Sequence, residues 1–174
     1  MEQAILHTER LLLRPVEPAD QQKIFEGFSH PEVTRYFDIT YPTFESTDAQ
    51  MEWYANNRKE NSGYAWAVCD KHTLEFMGVF SLYYIKPQHQ RAELGYWLLP
   101  AYWNKGYATE ILSEILHHAK TGLNLHRIAA EVEQDNVASI QLLKKIGFER
   151  DGTLRDYEIK NGKFQNLEIW AVLL

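Results

Sequence analysis

Between residues 96 and 122 the chain changes from the pattern of a buried strand to that of an amphipathic helix. A strand-like run ends at Leu99, a loop with one glycine at Gly106 follows, and apolar residues then recur at the spacing of a single helix face. These apolar positions are Ala108, Ile111, Leu112, Ile115, Leu116 and Ala119. Strand-like and helix-like segments alternate over the rest of the chain as well, which predicts an α/β domain.

The other segments complete this alternation. Strands are predicted over residues 10–16, 64–70, 75–85, 91–99, 127–132, 148–159 and 164–173, and helices over 18–28, 32–37, 47–61, 106–122 and 136–146. Short turns between the second, third and fourth strands indicate an antiparallel meander, and Asn161-Gly162 is a hairpin signal between the last two strands. The sheet is therefore expected to be mixed but mostly antiparallel, with helices as crossover connections.

Two local expectations concern the middle of the chain. Gly78 is expected to weaken the start of the strand over 75–85, because glycine has no side chain to pack. Thr47 is expected to cap the helix over 47–61 with its hydroxyl group. The residues predicted to share one face of that helix are Met51, Tyr54, Ala55 and Arg58.

Length and composition limit the class of protein. The 174 residues fit a single domain, residues 1–174, and a chain of this size buries a sufficient core without disulfides. The net charge of −6 argues against a protein that mainly binds nucleic acid, because phosphates attract a basic surface. Cys69 is the only cysteine, so an internal disulfide and a thiolate zinc site are both excluded, and no metal is expected.

The same features indicate a location. A single cysteine is typical of a reducing compartment. Met1, Glu2 and Gln3 do not begin the basic and then apolar pattern of a signal peptide. No run approaches the roughly 18 apolar residues that a membrane span requires. The cytoplasm is the expected location, without a membrane partner.

The junction between the strand and the helix at Gly106 has the chemistry of an anion site. The first N–H groups of a helix have no partners within it and carry the positive end of the helix dipole, so they bind phosphate readily. Gly106 would let the backbone approach a ligand closely, and Ala108 would keep the next position open. Lys105 precedes the glycine, which does not fit a Walker loop, and one glycine does not make a dinucleotide fingerprint. On the loop alone, a glycine that merely ends a turn remains the alternative.

A second segment, residues 131–148, carries polar groups at the start of a predicted helix. Asn136 follows a strand and stands where a helix cap is expected, and Ser139 comes three residues later. A cap on a core helix accounts for most of this segment. The alternative is that Asn136 presents its amide group to a ligand lying beside the strand.

Five segments taken together resemble the GNAT superfamily of N-acetyltransferases, and in particular its RimJ/RimL-like branch. They are TERLLLR at 8–14, HPEVT at 30–34, ELGY at 93–96, WNKGYATE at 103–110, and the run from NVAS at 136 to GF at 148. They follow the order of that family and spread over nearly the whole chain, so together they are far more specific than either motif alone.

The resemblance implies a fold and a cofactor site. The family fold is a mostly antiparallel central sheet, splayed between its fourth and fifth strands around acyl-CoA and flanked by helices. Its pyrophosphate rests on backbone N–H groups that correspond here to Asn104, Lys105, Gly106, Tyr107, Ala108 and Thr109. Its pantetheine arm pairs with a strand that corresponds to Tyr96, Trp97 and Leu98, and the family asparagine that contacts pantetheine corresponds to Asn136.

The chain departs from the family pattern at two positions. Trp103 stands where many members have glutamine or arginine, and a tryptophan at this position is common in the RimJ/RimL-like branch. Leu143 stands where many members have a tyrosine that acts as general acid, and leucine cannot donate a proton. In that branch a serine and a glutamate are proposed to act instead, and these correspond to Ser139 and Glu158. Glu93, acting through water, is a second candidate for the base.

The resemblance predicts an enzyme that moves an acetyl group from acetyl-CoA to an amine by direct attack. The acceptor is expected to be a protein N-terminal amino group, as in ribosomal-protein acetyltransferases, or a small amine. The alternative is an acyl-CoA-binding module or sensor without turnover, which the leucine at 143 keeps open. A nucleotide-binding protein that uses the same loop is more remote. An exposed final strand would permit a homodimer.

Overall fold

One eight-stranded sheet runs through residues 3–174, the part of the chain that this computed structural model describes; Met1 and Glu2, cited above for the absence of a signal pattern, lie outside it. The strands are β1 (Leu6–His7), β2 (Leu11–Pro15), β3 (Tyr64–Asp70), β4 (Phe76–Lys86), β5 (Arg91–Leu98), β6 (Arg127–Glu133), β7 (Glu149–Lys160) and β8 (Lys163–Leu173). The helices are α1 (Gln21–Phe28), α2 (Pro31–Thr34), α3 (Asp48–Glu60), α4 (Tyr107–Thr121) and α5 (Val137–Lys145).

The sheet has the order β1-β2-β3-β4-β5-β6-β8-β7, and only the pairing of β5 with β6 is parallel. The predicted α/β class with a mixed, mostly antiparallel sheet is therefore confirmed, as is the meander of β3, β4 and β5. Sequence reasoning missed β1, which has two residues and is too short to show a periodic pattern. Among residues 3–174, no helix combines the length and the apolar character needed to cross a bilayer.

The last strand does not lie at an edge of the sheet, which corrects the expectation that it could pair with a second copy of the chain. β8 lies between β6 and β7, and β7 forms the edge. The reason is that β8 returns from its hairpin with β7 and pairs along its length with β6, from Leu167 opposite Glu133 to Leu173 opposite Arg127. An unpaired final strand is therefore not present for dimerisation.

The two faces of the sheet are covered differently. The predicted apolar stripe of α4 is confirmed, since Ile111, Leu112 and Ile115 are completely buried in the main core, which α5 also joins through Leu143. Helices α1, α2 and α3 pack on the opposite face in a second cluster, which takes Val79 and other residues from strands β3, β4 and β5. The same face of β6, β8 and β7 contributes no residue to that cluster. The acidic residues described below lie in this region.

Two local expectations need correction. The Thr47 hydroxyl group does not cap α3, because it donates to the carbonyl of Phe44 in the preceding turn. The buried residues of α3 are Gln50 and Tyr54, whereas Ala55 and Arg58, predicted to share the face of Tyr54, are exposed. This helix is polar on most sides, so its composition did not indicate which side faces the sheet.

Gly78 does more than weaken the start of β4. A Cβ atom at this position would lie 2.2 Å from the carbonyl oxygen of Trp97 and 2.8 Å from Cα of Leu98, both in the backbone of β5. Because backbone atoms cannot rotate away as side chains do, a residue with a side chain would push β5 out of place. Gly78 therefore permits the close approach of β4 to the end of β5, where the candidate site begins.

The sheet opens between β5 and β6. The two strands pair only at Arg91–Glu93 with Arg127–Ala129, and beyond these residues β5 continues beside β4 while β6 continues beside β8. The opening is the splay expected between the fourth and fifth strands of the family. Here it follows the fifth strand, because the short β1 adds one strand to the count.

Candidate active site

The start of α4 lies at the open end of β5 and presents unpaired N–H groups. Gly106 precedes the helix with φ of 80°, a left-handed conformation that favours glycine. Tyr107, Ala108 and Thr109 form the first turn, and within residues 3–174 their N–H groups donate no hydrogen bond. Asn104 also has a positive φ, of 58°, which turns the loop back toward the helix. The donors and the helix dipole together fit an anion such as a pyrophosphate.

Arg10, which lies between β1 and β2, holds this loop in place. Its guanidinium Nε lies 2.7 Å from Glu110 Oε2, its Nη1 donates to the Lys105 carbonyl at 3.1 Å, and its guanidinium carbon lies 4.2 Å from the centre of the Tyr107 ring. The Thr8 hydroxyl and the Arg10 N–H both donate to Glu110 Oε1. Partial burial acts to raise the pKa of Glu110, but these hydrogen bonds lower it overall. The Glu110 carboxylate beside the anion site thus stays ionised, and the Arg10 guanidinium balances its negative charge.

The end of β5 directs backbone groups into the opening. The N–H of Leu99 donates to Met77 in β4 at 2.9 Å. Because successive residues of a strand bond to opposite sides, the backbone groups of Tyr96 and Leu98 point toward the opening. The Leu98 carbonyl already accepts the indole N–H of Trp103 at 2.7 Å, which fastens the loop to the strand. The Trp97 side chain projects from the opposite face of the sheet and is buried in the cluster with α1. It therefore lies apart from the other predicted cofactor residues.

A hydrogen-bonded series connects the opening with the start of α5. The hydroxyl oxygens of Tyr96 and Ser139 lie 2.5 Å apart, and the Ser139 N–H donates to Asn136 Oδ1 at 3.1 Å. Asn136 thus caps the helix, as one interpretation held, while its Nδ2 group donates no hydrogen bond within residues 3–174. Burial raises the pKa of Tyr96 to about 12, an effect that the contact with Ser139 partly offsets. Leu143 is fully buried in the core, and its position offers no proton donor.

Two acidic residues lie on the opposite face of the sheet from α4 and α5. Glu131 of β6 is paired with Ile169 of β8, and Glu158 of β7 is paired with Gln165 of β8. Ile169 and Gln165 are four residues apart, so they project from the same face. Burial, followed by the charges of Glu93 and Glu158, raises the pKa of Glu131. No local sequence pattern marks Glu131 as a site residue, because only the pairing of distant strands brings it beside the others.

Glu93 joins this pair from the other side of the opening. It lies level with Ala129 of β6, two residues from Glu131, and its carboxylate is 3.8 Å from the Arg91 guanidinium. Burial raises the pKa of Glu93, and Arg91 opposes that rise. Burial and then Asp38, which follows α2, raise the pKa of Glu158. We call Asp38, Glu93, Glu131 and Glu158 the acidic face.

The hairpin of β7 and β8 is held over the acidic face by Lys160. The Lys160 ammonium group lies 2.6 Å from Glu133 Oε1 and also donates to the Arg35 carbonyl at the end of α2. Its charge partly lowers the pKa of the neighbouring Glu158. No local pattern indicates this contact, since 125 residues separate Lys160 from Arg35.

The geometry therefore divides the site in two. Of the predicted residues, the loop 104–109, Tyr96, Leu98, Asn136 and Ser139 lie at the opening on the side of α4 and α5, and Glu93 and Glu158 lie on the other face. The opening between β5 and β6 joins the two. In the described chain, residues 3–174, no group of three His, Cys, Asp or Glu side chains is placed to hold a metal ion.

Comparison with known proteins identifies the family. Residues 10–149 match the acetyltransferase (GNAT) domain. The chain is 34% identical over 170 residues to YoaA of Bacillus subtilis (strain 168), an uncharacterized N-acetyltransferase, covering 97% of this chain and 96% of that protein. It is 24% identical over 176 residues to the ribosomal-protein-serine acetyltransferase of Escherichia coli (strain K12), covering 100% of this chain and 98% of that protein.

Solved structures show the same fold. The spermidine N-acetyltransferase of Vibrio cholerae, in complex with CoA and spermine, superposes with a TM-score of 0.84 at 26% identity, covering 94% of this chain and 95% of that one. A ribosomal L7/L12 alpha-N-protein acetyltransferase in complex with CoA superposes with a TM-score of 0.88 at 18% identity, covering 98% of each chain. The chain therefore belongs to the GNAT family of acetyl-CoA-dependent N-acetyltransferases.

Proposed function

We propose that this chain transfers the acetyl group of acetyl-CoA to a primary amine, which attacks the thioester directly in a ternary complex. The observation that carries the proposal is the opening between β5 and β6. It joins the N–H donors of α4 and the Tyr96–Ser139 pair on one side of the sheet to the acidic face on the other. An acetyl donor in the opening is thus accessible to an amine from the acidic face.

The residues at the opening on the side of α4 and α5 suit the acetyl donor. The N–H groups of Tyr107, Ala108 and Thr109 would hold the pyrophosphate, and the backbone of Tyr96 would pair with the pantetheine arm. The Nδ2 of Asn136, which donates no hydrogen bond within residues 3–174, can donate to a pantetheine carbonyl from the other wall. Acetyl-CoA supplies the activated acetyl group, and the chain supplies its orientation, which is worth about 7–11 kcal/mol in well-placed reactions.

Acid–base chemistry completes the transfer. Glu158, or Glu93 through a water molecule, accepts a proton from the amine as the C–N bond forms, and Ser139 donates a hydrogen bond to the sulfur as the C–S bond breaks. An α-amino group with a pKa of about 7.7–8.0 is roughly one tenth neutral at pH 7, whereas a lysine side chain is only about 0.04% neutral. A weakly basic amine therefore requires little from the base, and because burial and Asp38 raise the pKa of Glu158, its carboxylate is a stronger base than that of an ordinary glutamate.

The acidic face favours a cationic acceptor. An incoming ammonium group is attracted by the carboxylates of Asp38, Glu93, Glu131 and Glu158 before it loses its proton. A protein N-terminus and a small amine both meet this requirement, and the relatives named above include enzymes of each kind. The ribosomal-protein relatives are those expected of the RimJ/RimL-like branch. The cytoplasm, where a free thiol such as that of Cys69 stays reduced, is the proposed location.

Thermal unfolding in the presence of ligands tests whether acetyl-CoA binds at the start of α4. A ligand at a hundredfold excess over its Kd adds about 2.7 kcal/mol to the free energy of unfolding, which for this size raises Tm by roughly 5–10 °C. We expect this rise with acetyl-CoA and with CoA, and none with ATP or NAD. No rise at millimolar acetyl-CoA would overturn the assignment of the α4 site.

A thiol-release assay tests turnover and the acceptor. Acetyl-CoA is supplied with spermidine, spermine, single amines and peptides with free N-termini, and the release of CoA is followed. We expect release with at least one cationic amine. Binding of acetyl-CoA without release over the whole panel would instead establish the acyl-CoA-binding module that the sequence left open.

Replacing Arg10 by methionine tests how the loop is held. We expect the Kd for CoA to rise about tenfold, because the variant loses charge-assisted hydrogen bonds to Lys105 and Glu110. The Glu110 carboxylate keeps its bonds from the Thr8 hydroxyl and the backbone N–H of residue 10, but it loses its cationic partner beside the phosphate site. Calorimetric titration with CoA measures the effect. Lys23→Met, which breaks an exposed ion pair with Glu26 in α1, is the matched control and should bind CoA as the wild type does. Equal Kd values for the two variants would contradict this role of Arg10.

A further inference from the structure

The Tyr96 side chain reaches from β5 to the first turn of α5. Its ring stacks on Phe80 of β4, with the centres 5.1 Å apart and the planes 11° from parallel. The Tyr96 and Ser139 hydroxyl oxygens are 2.5 Å apart. A stacked ring has little freedom to turn, so the phenol group is held at a fixed place beside the serine.

The chemistry of the two hydroxyl groups determines which of them donates. A phenol is more acidic than an aliphatic alcohol and is the better donor between the two. Burial keeps Tyr96 protonated at neutral pH, with its pKa raised to about 12. If Tyr96 donates to the Ser139 oxygen, the serine proton must point away from the phenol. The Ser139 N–H is already bonded to Asn136, so the hydroxyl group is the remaining polar donor of this residue.

The opening between β5 and β6 lies beside this pair. Tyr96 is on the edge of β5 that faces the opening, and Ser139 stands at the start of the helix that follows β6. If the pantetheine arm runs along the end of β5, as proposed above, the thioester sulfur would lie in the opening beside the Tyr96 and Ser139 hydroxyl groups. The serine proton, turned away from the phenol, then has the sulfur as a partner.

We propose that Tyr96 is a positioning residue for the leaving group: by donating to the Ser139 oxygen, it turns the serine proton toward the thioester sulfur. When the C–S bond breaks, its electron pair goes to the sulfur, and Ser139 stabilises the thiolate through a hydrogen bond. The thiolate then takes a proton from solvent, and both hydroxyl groups remain unchanged. This inference rests on the proposed acetyl transfer.

The expected effect is one on the chemical step. Tyr96→Phe keeps the ring and its stacking on Phe80 and removes only the hydroxyl oxygen. We expect kcat and the single-turnover rate to fall about five- to tenfold, which is the size of one oriented hydrogen bond, while KM for acetyl-CoA changes by less than about twofold. Ser139→Ala should lower the rate by at least as much, because it removes the donor itself.

A double-mutant cycle separates positioning from structural support. If Tyr96 acts through Ser139, adding Tyr96→Phe to Ser139→Ala should cause no further loss of rate. Tyr64→Phe is the matched control, since it removes the hydroxyl of a β3 tyrosine that donates to Asn61 at 3.1 Å, and β4 separates β3 from the strand that borders the opening. It should keep the wild-type kcat. Thermal unfolding with and without CoA shows that each variant is folded and binds.

The outcomes distinguish the two proposals. A wild-type enzyme with turnover, a slow Tyr96→Phe variant and no further loss in the double variant support the positioning role. Wild-type turnover with an unimpaired Tyr96→Phe variant, or with two effects that multiply, overturns this inference alone. A wild-type protein that releases no CoA with any amine overturns the proposed function and this inference with it.

Discussion

Replacing Glu158 by glutamine is expected to lower kcat at pH 7 by about 10²-fold or more. A positioned general base contributes about 10²- to 10⁴-fold, and the amide retains the size of the carboxylate but cannot accept the proton. Steady-state kinetics with the best acceptor of the amine panel measure the loss. Glu149→Gln is the matched control, because Glu149 is exposed on the same strand and lies outside the acidic face. It should retain the wild-type rate.

The pH profile gives the same prediction a second readout. A base acts only when ionised, so activity is present above the pKa of Glu158 and falls as the pH drops through it. Because burial and Asp38 raise that pKa, the fall should occur at a higher pH than for an ordinary glutamate. The glutamine variant should lose this acidic limb. If Glu158→Gln keeps both its rate and the limb while Glu93→Gln loses them, the base is Glu93, acting through water.

Replacing Trp66 by alanine is expected to destabilise the protein by about 3–5 kcal/mol, a fall in Tm of roughly 6–20 °C. Trp66 is completely buried in β3, its ring centre lies 6.0 Å from that of His118 in α4, and its indole N–H donates to the Ala4 carbonyl at 2.8 Å. The change leaves a large cavity between the sheet and α4 and frees the segment before β1. Chemical denaturation measures the free energy of unfolding.

Trp66→Phe separates the cavity from the lost hydrogen bond. Phenylalanine fills most of the space but cannot donate to Ala4, so we expect a smaller loss than with alanine. A loss in Trp66→Ala below about 1 kcal/mol would mean that the core closes around the missing ring. That result would contradict the rigid packing described between β3 and α4.

Local patterns predicted most of the elements, because their causes lie within a few residues. The spacing of Ile111, Leu112 and Ile115 was enough to place α4 and its buried face. The turn at Asn161-Gly162 was enough to place the hairpin of β7 and β8. By contrast, the hydroxyl of Thr47 has a competing acceptor in the turn before it, and no pattern in the sequence shows which acceptor wins.

For a related reason, the sequence predicted one side of the candidate site better than the other. The α4 donors depend on one loop and one helix, so the sequence around Gly106 predicted an anion site there, and the resemblance to the family decided between this site and a glycine that merely ends a turn. The acidic face depends on which strands become neighbours, and neither Glu131 nor Lys160 carries a local mark of its partners. The position of β8 inside the sheet is a similar case, since it depends on the pairing of whole strands.

The opening between β5 and β6 separates the proposed donor side from the proposed acceptor side, and this has a consequence for how such enzymes diversify. In the function proposed above, backbone N–H groups at the start of α4 hold the acetyl donor, and most substitutions leave such groups unchanged. In the same proposal the acceptor meets side chains of β6, β7 and the segment after α2, which lie on different elements from the start of α4. Over evolutionary time the acceptor specificity is therefore free to drift, while dependence on the same acetyl donor is inherited.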